Sequence, residues 1–145
     1  MTQVAISIKT YNRPTSLCRC VDSIQQFCDV SFRLYVADDS PPEVRPTDLY
    51  ETLRKQGHYI KLYDKQVRVT TSRNEIVQAL REESYLLRLD DDFRFTSETN
   101  LSLMLNILEN RPEIGAISDI ERQLGDGKGI KSGEISPKQG ILLRD

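Results

Sequence analysis

The sequence predicts an α/β fold, a mostly parallel sheet with helices on both faces. Short β-rich runs alternate with segments whose apolar residues recur every three or four positions, and this alternation is typical of parallel sheets. Polar clusters follow the β-rich runs, as expected where strands end at a ligand-binding edge. The 145 residues have the length of one domain, and a chain of this size can bury one hydrophobic core.

The first third of the chain is predicted to form a strand, a helix and a strand. Residues 4–8 are β-rich and end at a polar turn. Pro14 suits the first turn of a helix, and apolar residues then recur at helical spacing as far as Cys28. Residues 32–37 form the second predicted strand, which ends at two aspartates, a serine and two prolines.

The middle of the chain continues this alternation. A shorter helix is predicted over residues 47–56, and Gly57 ends it. Residues 58–63 have the composition of a third strand. Apolar residues at helical spacing then predict a helix over residues 73–83.

The last part begins with a fourth strand, predicted over residues 85–89. Ser97 is a suitable N-cap for a helix that ends before Pro112. A fifth strand is predicted over residues 114–120, and residues 130–145 have the pattern of a hairpin. We therefore predict a main domain over residues 1–123, followed by a loop and hairpin over residues 124–145.

The composition excludes several classes of function. Twenty basic and 22 acidic residues give a net charge of −2, which argues against nucleic-acid binding driven by charge. No stretch of 18 apolar residues occurs, and the first residues lack the organisation of a signal peptide, so we expect neither a transmembrane segment nor a signal peptide. The three cysteines, Cys18, Cys20 and Cys28, are interpreted as helix residues in a reducing compartment. We therefore expect a cytoplasmic protein, and the single histidine, His58, makes Ser/His/Asp catalysis improbable.

Three consecutive aspartates, Asp90, Asp91 and Asp92, follow the fourth predicted strand. Adjacent carboxylates repel each other, and a divalent ion such as Mg²⁺ or Mn²⁺ would relieve that repulsion through oxygen ligands. A solvated acidic turn is the alternative interpretation. The apolar run before the triplet favours the metal site, because it delivers the acids to the carboxyl end of a core strand.

Polar clusters at other strand ends strengthen this interpretation. The segments 10–13 and 38–40 follow the first and second strands, so a parallel sheet brings them to the same edge as the aspartates. An aspartate there can accept a hydrogen bond from an imide N–H, a second can bind a ribose hydroxyl, and a third can hold an ion that bridges two phosphates. Arg73 begins a predicted helix, where an anion is also favoured. No glycine-rich dinucleotide or P-loop motif is present.

These motifs resemble those of the inverting family-2 glycosyltransferases, which have the GT-A fold and use nucleotide-sugar donors. Within that family the sequence is most similar to the β-1,4-N-acetylgalactosaminyltransferase branch. The resemblance covers roughly residues 3 to 120. The matching motifs are Val4 to Arg13, Val36-Ala37-Asp38-Asp39-Ser40, Ser72-Arg73-Asn74 and Leu89-Asp90-Asp91-Asp92-Phe93.

The resemblance implies a role for each candidate residue. Asp39 would bind the uracil imide of a UDP-sugar, and Arg73 would lie near the base or diphosphate. In the Asp-x-Asp motif, Asp90 would lie nearest the ribose, and Asp91 replaces it if the register differs by one. Asp92 would hold Mn²⁺ or Mg²⁺, with Asp90 as the second candidate metal ligand. The residues that would border the base are Thr10, Tyr11, Asn12 and Arg13.

The chain departs from the family in length. Family members have an acceptor-binding half after the Asp-x-Asp strand, and that half supplies the general base. Only about 50 residues follow Asp92 here, and Glu121, Asp126 and Glu134 are candidate bases only by default. We expect either a fragment, a truncated form, or a chain completed by a partner such as a second copy. The hydroxyl acceptor, a glycan or another molecule, is not specified by the sequence.

Two other functions remain open at this point. A non-catalytic sugar-nucleotide-binding or scaffold domain would have the same motifs without turnover. A phospho-receiver module is also α/β and gathers aspartates and Mg²⁺ at strand ends. Against the receiver, the acid pair follows the second strand rather than the first, and a lysine at a later strand end is hard to place.

Overall fold

In the computed structural model, which describes residues 4–118 and 141–144, four parallel strands form the larger part of one sheet. Predominantly buried apolar residues form β1, β2 and β4, as expected for strands with helices on both sides. The α/β prediction is confirmed. The parallel strands are β1 (Val4–Thr10), β2 (Phe32–Asp38), β3 (Tyr59–Leu62) and β4 (Tyr85–Asp90).

Two further strands extend the sheet, whose order is β3-β2-β1-β4-β6-β5. β5 (Ala116–Ser118) and β6 (Ile141–Arg144) lie beyond β4, and β6 is antiparallel to both of its neighbours. The rest of the predicted hairpin, and residues 119–120 of the predicted fifth strand, lie outside the described residues. Strand β6 belongs to the same sheet as β1, and the boundary at residue 123 stays a prediction.

Within residues 4–118, four α-helices connect the strands. Pro14 begins α1 as predicted, and Asn100 caps α4 by accepting a hydrogen bond from the backbone N–H of Leu103. The prediction for α3 was wrong by four residues at each end, since this helix spans residues 69–79 rather than 73–83. The helices are α1 (Pro14–Phe27), α2 (Thr47–Lys55), α3 (Val69–Ala79) and α4 (Leu101–Asn110).

Alternation along the strands gives the sheet two different faces. We call the face packed against α1, α2 and α4 the apolar face. Its strand residues include Ile6, Ile8, Leu34, Val36, Leu87 and Leu89. We call the face packed against α3 the polar face. Its strand residues include Ala5, Ser7, Lys9, Arg33, Tyr35, Ala37, Leu86, Arg88 and Asp90.

Candidate functional site

The carboxyl ends of β1, β2 and β4 meet at one edge of the sheet. Thr10 is the register partner of Asp38, and Lys9 is the partner of Asp90. The predicted convergence of the three polar clusters is therefore confirmed. Parallel pairing is the reason, because it aligns the ends of strands that are far apart in the sequence.

The three consecutive aspartates point in different directions. Asp90 ends β4 on the polar face, where its carboxylate lies 3.8 Å from the Arg73 guanidinium. The carboxylates of Asp91 and Asp92 lie 3.5 and 3.7 Å from the guanidinium of Arg13. Two arginines therefore reduce the repulsion between the three carboxylates. The side chains also alternate in direction along the chain, which separates them further. The first and third side chains, which are 50% and 37% exposed, remain accessible to a ligand.

Asp91 is the buried member of the triplet, with 2% exposure. Its Oδ2 accepts a hydrogen bond of 2.8 Å from the Thr10 hydroxyl, whereas its Oδ1 has no hydrogen-bond partner among the described residues. Burial is the main reason that the pKa of Asp91 is raised, and the Thr10 bond and Arg13 only partly oppose it. The Arg13 guanidinium lies 3.5 Å from this buried Oδ1, so the oxygen has a charged neighbour but accepts no hydrogen bond from the described residues.

Asp39 lies on the polar face at the end of β2. Its Oδ1 contacts the Lys9 ammonium, and its Oδ2 accepts a hydrogen bond of 2.8 Å from the backbone N–H of Val67. The side chain is only 1% exposed. Each oxygen retains a second lone pair for an incoming donor, so a base would reach Asp39 only beside Lys9 and the segment at Val67.

A hydrogen-bonded turn holds the ends of β1 and β2 together. The Ser40 hydroxyl accepts a bond of 2.7 Å from the backbone N–H of Asn12, which has a φ of 55°. Asp38 accepts bonds from the Ser40 backbone N–H and from the Tyr50 hydroxyl, at 2.8 and 2.5 Å. A non-glycine residue with positive φ is uncommon and stores backbone strain. The bonds around Ser40 stabilise that conformation. Tyr11, beside it, is 41% exposed.

Arg73 lies in the second turn of α3, not at a helix start. The interpretation of Arg73 as part of an anion-binding helix N-terminus was therefore wrong, since α3 begins at Val69. The side chain still reaches the strand edge through Asp90. It also lines a cavity of about 220 Å³ on the polar face, together with Ser7, Thr70, Asn74, Val77, Leu86 and Arg88.

The aspartates can accommodate a divalent ion of one particular kind. Among residues 4–118 and 141–144, no group of three acidic, histidine or cysteine side chains converges on one point. An all-protein cage is therefore absent from the described part of the chain. Mg²⁺ at phosphate sites is held by one or two carboxylates, with phosphate and water completing its shell. Asp92 and Asp90, both accessible at this edge, fit that kind of site.

Sequence reasoning missed three residues around the site. Lys9 pairs with Asp39, and Tyr50 bonds to Asp38. Arg88 interrupts the apolar run of β4 on the face that carries Asp90. Alternation along the strands could have found Lys9 and Arg88. It places both side chains on the polar face, one or two residues before the end of their strands. Tyr50 gave no such signal, since its spacing from Leu53 matches ordinary helix packing.

Comparison with known families decides what kind of domain this is. The profile of "Glycosyl transferase family 2" matches residues 5–142, which is nearly the whole chain. The chain belongs to glycosyl transferase family 2. The family membership disfavours the phospho-receiver interpretation. No curated protein matches the sequence significantly.

Solved structures share the fold of this family 2 chain. TarS from S. aureus matches with a TM-score of 0.70 at 14% identity, over 99% of this chain and 28% of TarS. The complex of TarS 1–349 with UDP-GlcNAc matches with a TM-score of 0.68 at 15% identity, over 99% of this chain and 45% of that one. The mannosyltransferase PcManGT from Pyrobaculum calidifontis, in complex with GDP-Man and Mn²⁺, matches with a TM-score of 0.68 at 17% identity, over 83% of this chain and 36% of PcManGT.

These likenesses show the GT-A fold and nothing finer, because the identities are low. The chain spans between 28% and 47% of the length of the structures that it matches. Among the described helices, none is long and apolar enough to cross a membrane.

Proposed function

We propose that this chain is the donor-binding part of a metal-dependent, inverting glycosyltransferase that uses a UDP-sugar. The convergence of three polar clusters at the carboxyl edge of β1, β2 and β4 carries the proposal. In open α/β sheets that edge is where ligands bind. Membership of glycosyl transferase family 2 supports the same chemistry. The resemblance to the β-1,4-N-acetylgalactosaminyltransferase branch makes a hexose or an N-acetylhexosamine the proposed donor sugar.

The nucleotide would bind across the ends of β1 and β2. We assign Asp39 to the imide N–H of uracil, because it is a carboxylate at the end of β2 with lone pairs still available. The turn of Thr10, Tyr11, Asn12 and Arg13 would border the base. TarS, a neighbour with the same fold, has been solved with UDP, which is consistent with this choice of base.

The ribose and diphosphate would lie over the aspartate triplet. We assign the ribose hydroxyls to Asp90, with the Oδ1 of Asp91, which accepts no hydrogen bond from the described residues, as the alternative acceptor. Arg73, 3.8 Å from Asp90, is placed to meet the base or diphosphate. Asp92 would hold Mn²⁺ or Mg²⁺, and Asp90 is the second candidate ligand. A bound ion would neutralise charge on the departing diphosphate.

The proposed reaction is a single displacement at the anomeric carbon. The acceptor oxygen forms a bond to that carbon while the bond to the β-phosphate oxygen breaks, and UDP leaves with the electron pair. The acceptor proton passes to a general base, which we do not assign among the described residues. Glu121, Asp126 and Glu134 lie outside them. A segment beyond this chain, or a partner, is the proposed source of the acceptor site.

Calorimetric titration with UDP tests this proposal directly. We expect UDP to bind the parent chain more tightly with Mn²⁺ than with EDTA. Asp92→Asn should remove that difference, because it removes an anionic ligand of the ion. Asp22→Asn, an exposed position on α1, is the matched control and should behave as the parent does.

Metal-independent binding that Asp92→Asn leaves unchanged would contradict the metal assignment. A complete lack of UDP binding would contradict the donor assignment. The scaffold interpretation predicts a different outcome: UDP-sugars bind, yet no hydrolysis or transfer occurs across a panel of donors, even with the full-length protein.

A further inference from the structure

The cavity on the polar face has a composition unlike that of a packing defect. Arg73 and Arg88 line it, together with the polar residues Ser7, Thr70 and Asn74 and the apolar residues Val77 and Leu86. Empty cavities left by imperfect packing are lined by apolar side chains. A cavity that gathers two arginines and three uncharged polar side chains is instead suited to an anionic ligand.

Arg88 is the unusual member of this group. It lies in the middle of β4, opposite Ser7 of β1 in the sheet register, and is half-buried. No described residue forms an ion pair or a side-chain hydrogen bond with its guanidinium. A buried charge normally has a partner, because removing it from water is costly. Among the described residues, the N–H donors of this guanidinium therefore have no side-chain acceptor, and those that face the cavity can bind a ligand there.

The charges around the cavity fix the charge of the ligand. Arg73 and Arg88 contribute two positive charges, and Asp90, 3.8 Å from Arg73, contributes one negative charge. The other lining residues are neutral. One positive charge thus remains uncompensated among the described residues, which favours a monoanion.

The volume limits the size of the ligand. The cavity measures about 220 Å³, several times the roughly 30 Å³ that one water occupies in the liquid. It is smaller than the roughly 300 Å³ at which sites for whole drug-sized ligands begin. One sugar ring with a charged substituent fits this range, whereas a complete nucleotide sugar does not.

The position connects the cavity to the proposed donor site. Arg88 lies two residues before Asp90 on the same face of β4, about 7 Å along the strand. Arg73 bridges the two, since it lines the cavity and also pairs with Asp90. A sugar in the cavity would therefore lie next to the proposed ribose and diphosphate positions.

We propose that the Arg73–Arg88 cavity binds the carboxylate, or another single negative charge, of a sugar that takes part in the reaction. The planar fork of a guanidinium matches such an oxyanion in two parallel hydrogen bonds. This inference rests on the proposed glycosyltransferase function for the role of the sugar. The charged sugar could come from the donor or from the acceptor, and the two sources are separated by experiment.

The experiment uses NMR of the Arg88 Nε–Hε group and titration with matched charged and neutral sugars. Methyl β-D-glucuronide should shift the Arg88 signal and bind about tenfold more tightly than methyl β-D-glucoside. UDP-glucuronate against UDP-glucose forms the donor arm. The two methyl glycosides in the presence of saturating UDP form the acceptor arm. The arm with the larger preference for the charged sugar identifies the source.

Variants localise the effect. Arg88→Gln should abolish the preference for the charged sugar while UDP alone binds as before, and Arg88→Lys should retain only part of it because the fork is lost. Arg19→Gln, on the exposed surface of α1, is the matched control and should retain the preference. Thermal unfolding establishes that each variant is folded.

Equal binding of charged and neutral sugars in both arms would overturn the inference, and so would a preference that survives Arg88→Gln. A loss of UDP affinity in Arg88→Gln, without any effect of sugar charge, would also overturn it, because the cavity would then serve the diphosphate. The glycoside measurement without nucleotide separates the two proposals. Glucuronide binding at Arg88 in a chain that does not bind UDP would retain this inference and refute the donor assignment.

Discussion

The two faces of the sheet differ in how their strand residues are used. On the apolar face, residues such as Ile6 and Leu34 are fully buried against α1, α2 and α4. On the polar face, α3 covers a smaller cluster around Tyr35 and Ile76, and polar or charged residues such as Ser7, Lys9 and Arg88 occupy other strand positions. The same strands therefore supply the core on one side and the candidate chemistry on the other.

From this difference we expect the residues that stabilise the fold and the residues that serve its function to lie on opposite faces of the sheet. Burial of apolar area is the main source of stability, so the apolar face should dominate the free energy of unfolding. Charged residues contribute little to stability, because exposed ion pairs are weak and burying a charge is costly, so the polar face can carry Lys9, Arg73 and Arg88 for another purpose. The predictions below test this division, beginning with the largest effect.

Leucine truncation should be costly on one face and mild on the other. Leu34→Ala should lower the free energy of unfolding by about 3 kcal/mol, because it leaves a cavity in a fully buried core. Leu86→Ala, beside the cavity of the polar face, should cost about 1 kcal/mol because the side chain is only half-buried. Urea denaturation measures both. Equal losses would break the comparison.

Two buried tyrosines allow the two faces to be compared through the loss of a hydrogen bond rather than the loss of apolar contact. Tyr50→Phe leaves the Oδ2 of buried Asp38 without its 2.5 Å bond and should cost about 2 kcal/mol. Tyr35→Phe removes a bond of 2.8 Å to Glu83, but that carboxylate keeps Arg33 and the backbone N–H of Arg81. We expect Tyr35→Phe to lower the free energy of unfolding by about 1 kcal/mol. A larger loss for Tyr35→Phe than for Tyr50→Phe would contradict the account.

The regular elements of both faces were largely predictable from the sequence. Strands β1, β2 and β4 begin where the β-rich runs begin, and each extends only one or two residues past its predicted end. Strong local patterns are the reason, since β-branched and apolar residues fill these strands. The start of α3 was not predictable, because no capping residue marks Val69. The place of β6 between β4 and β5 depends on pairing between distant segments, which local patterns do not encode.

The location of the candidate site was predictable, but its contacts were not. The aspartate triplet and Asp39 do lie at the predicted edge. Their partners, such as Arg13 for Asp91 and Asp92, depend on how a loop folds back over a strand end. Alternation along β4 would have placed Asp91 on the apolar face and Asp90 on the polar face, had it been applied to the triplet.

Asp91 should be an exception on the apolar face. Since burial raises its pKa, its ionised form is held at a cost to the fold. In the presence of EDTA, Asp91→Asn should leave the free energy of unfolding unchanged or raise it by up to about 1 kcal/mol. The amide oxygen can still accept from Thr10. Thermal unfolding at pH 7 measures this, and a loss of more than 1 kcal/mol would show that the carboxylate stabilises the fold.

The smallest expected effect concerns pH. Burial, with a smaller contribution from Arg33, lowers the pKa of His58, and its Nδ1 accepts a bond of 3.0 Å from the Leu34 backbone N–H. Below the model-peptide value of 6.5, the unfolded chain binds a proton that the folded chain does not. Stability should therefore fall as the pH drops from 6.5 towards the folded pKa.

His58→Asn keeps an acceptor at the position of Nδ1 but does not titrate, so it tests this assignment. Urea titrations at pH 7 and pH 5.5 should show a smaller loss of stability in His58→Asn than in the parent. An identical loss in both proteins would assign the pH dependence to other groups.

The most direct test of the central claim is the location of the nucleotide and its metal. Amide signals of the chain would be recorded by NMR with UDP and trace Mn²⁺, whose unpaired electrons broaden nearby signals. We predict broadening at residues 10–13, 38–40 and 90–92, and sharp signals at the opposite strand ends near Phe32 and Tyr85. Broadening at those opposite ends, or none that depends on UDP, would contradict the claim that the carboxyl edge binds the donor.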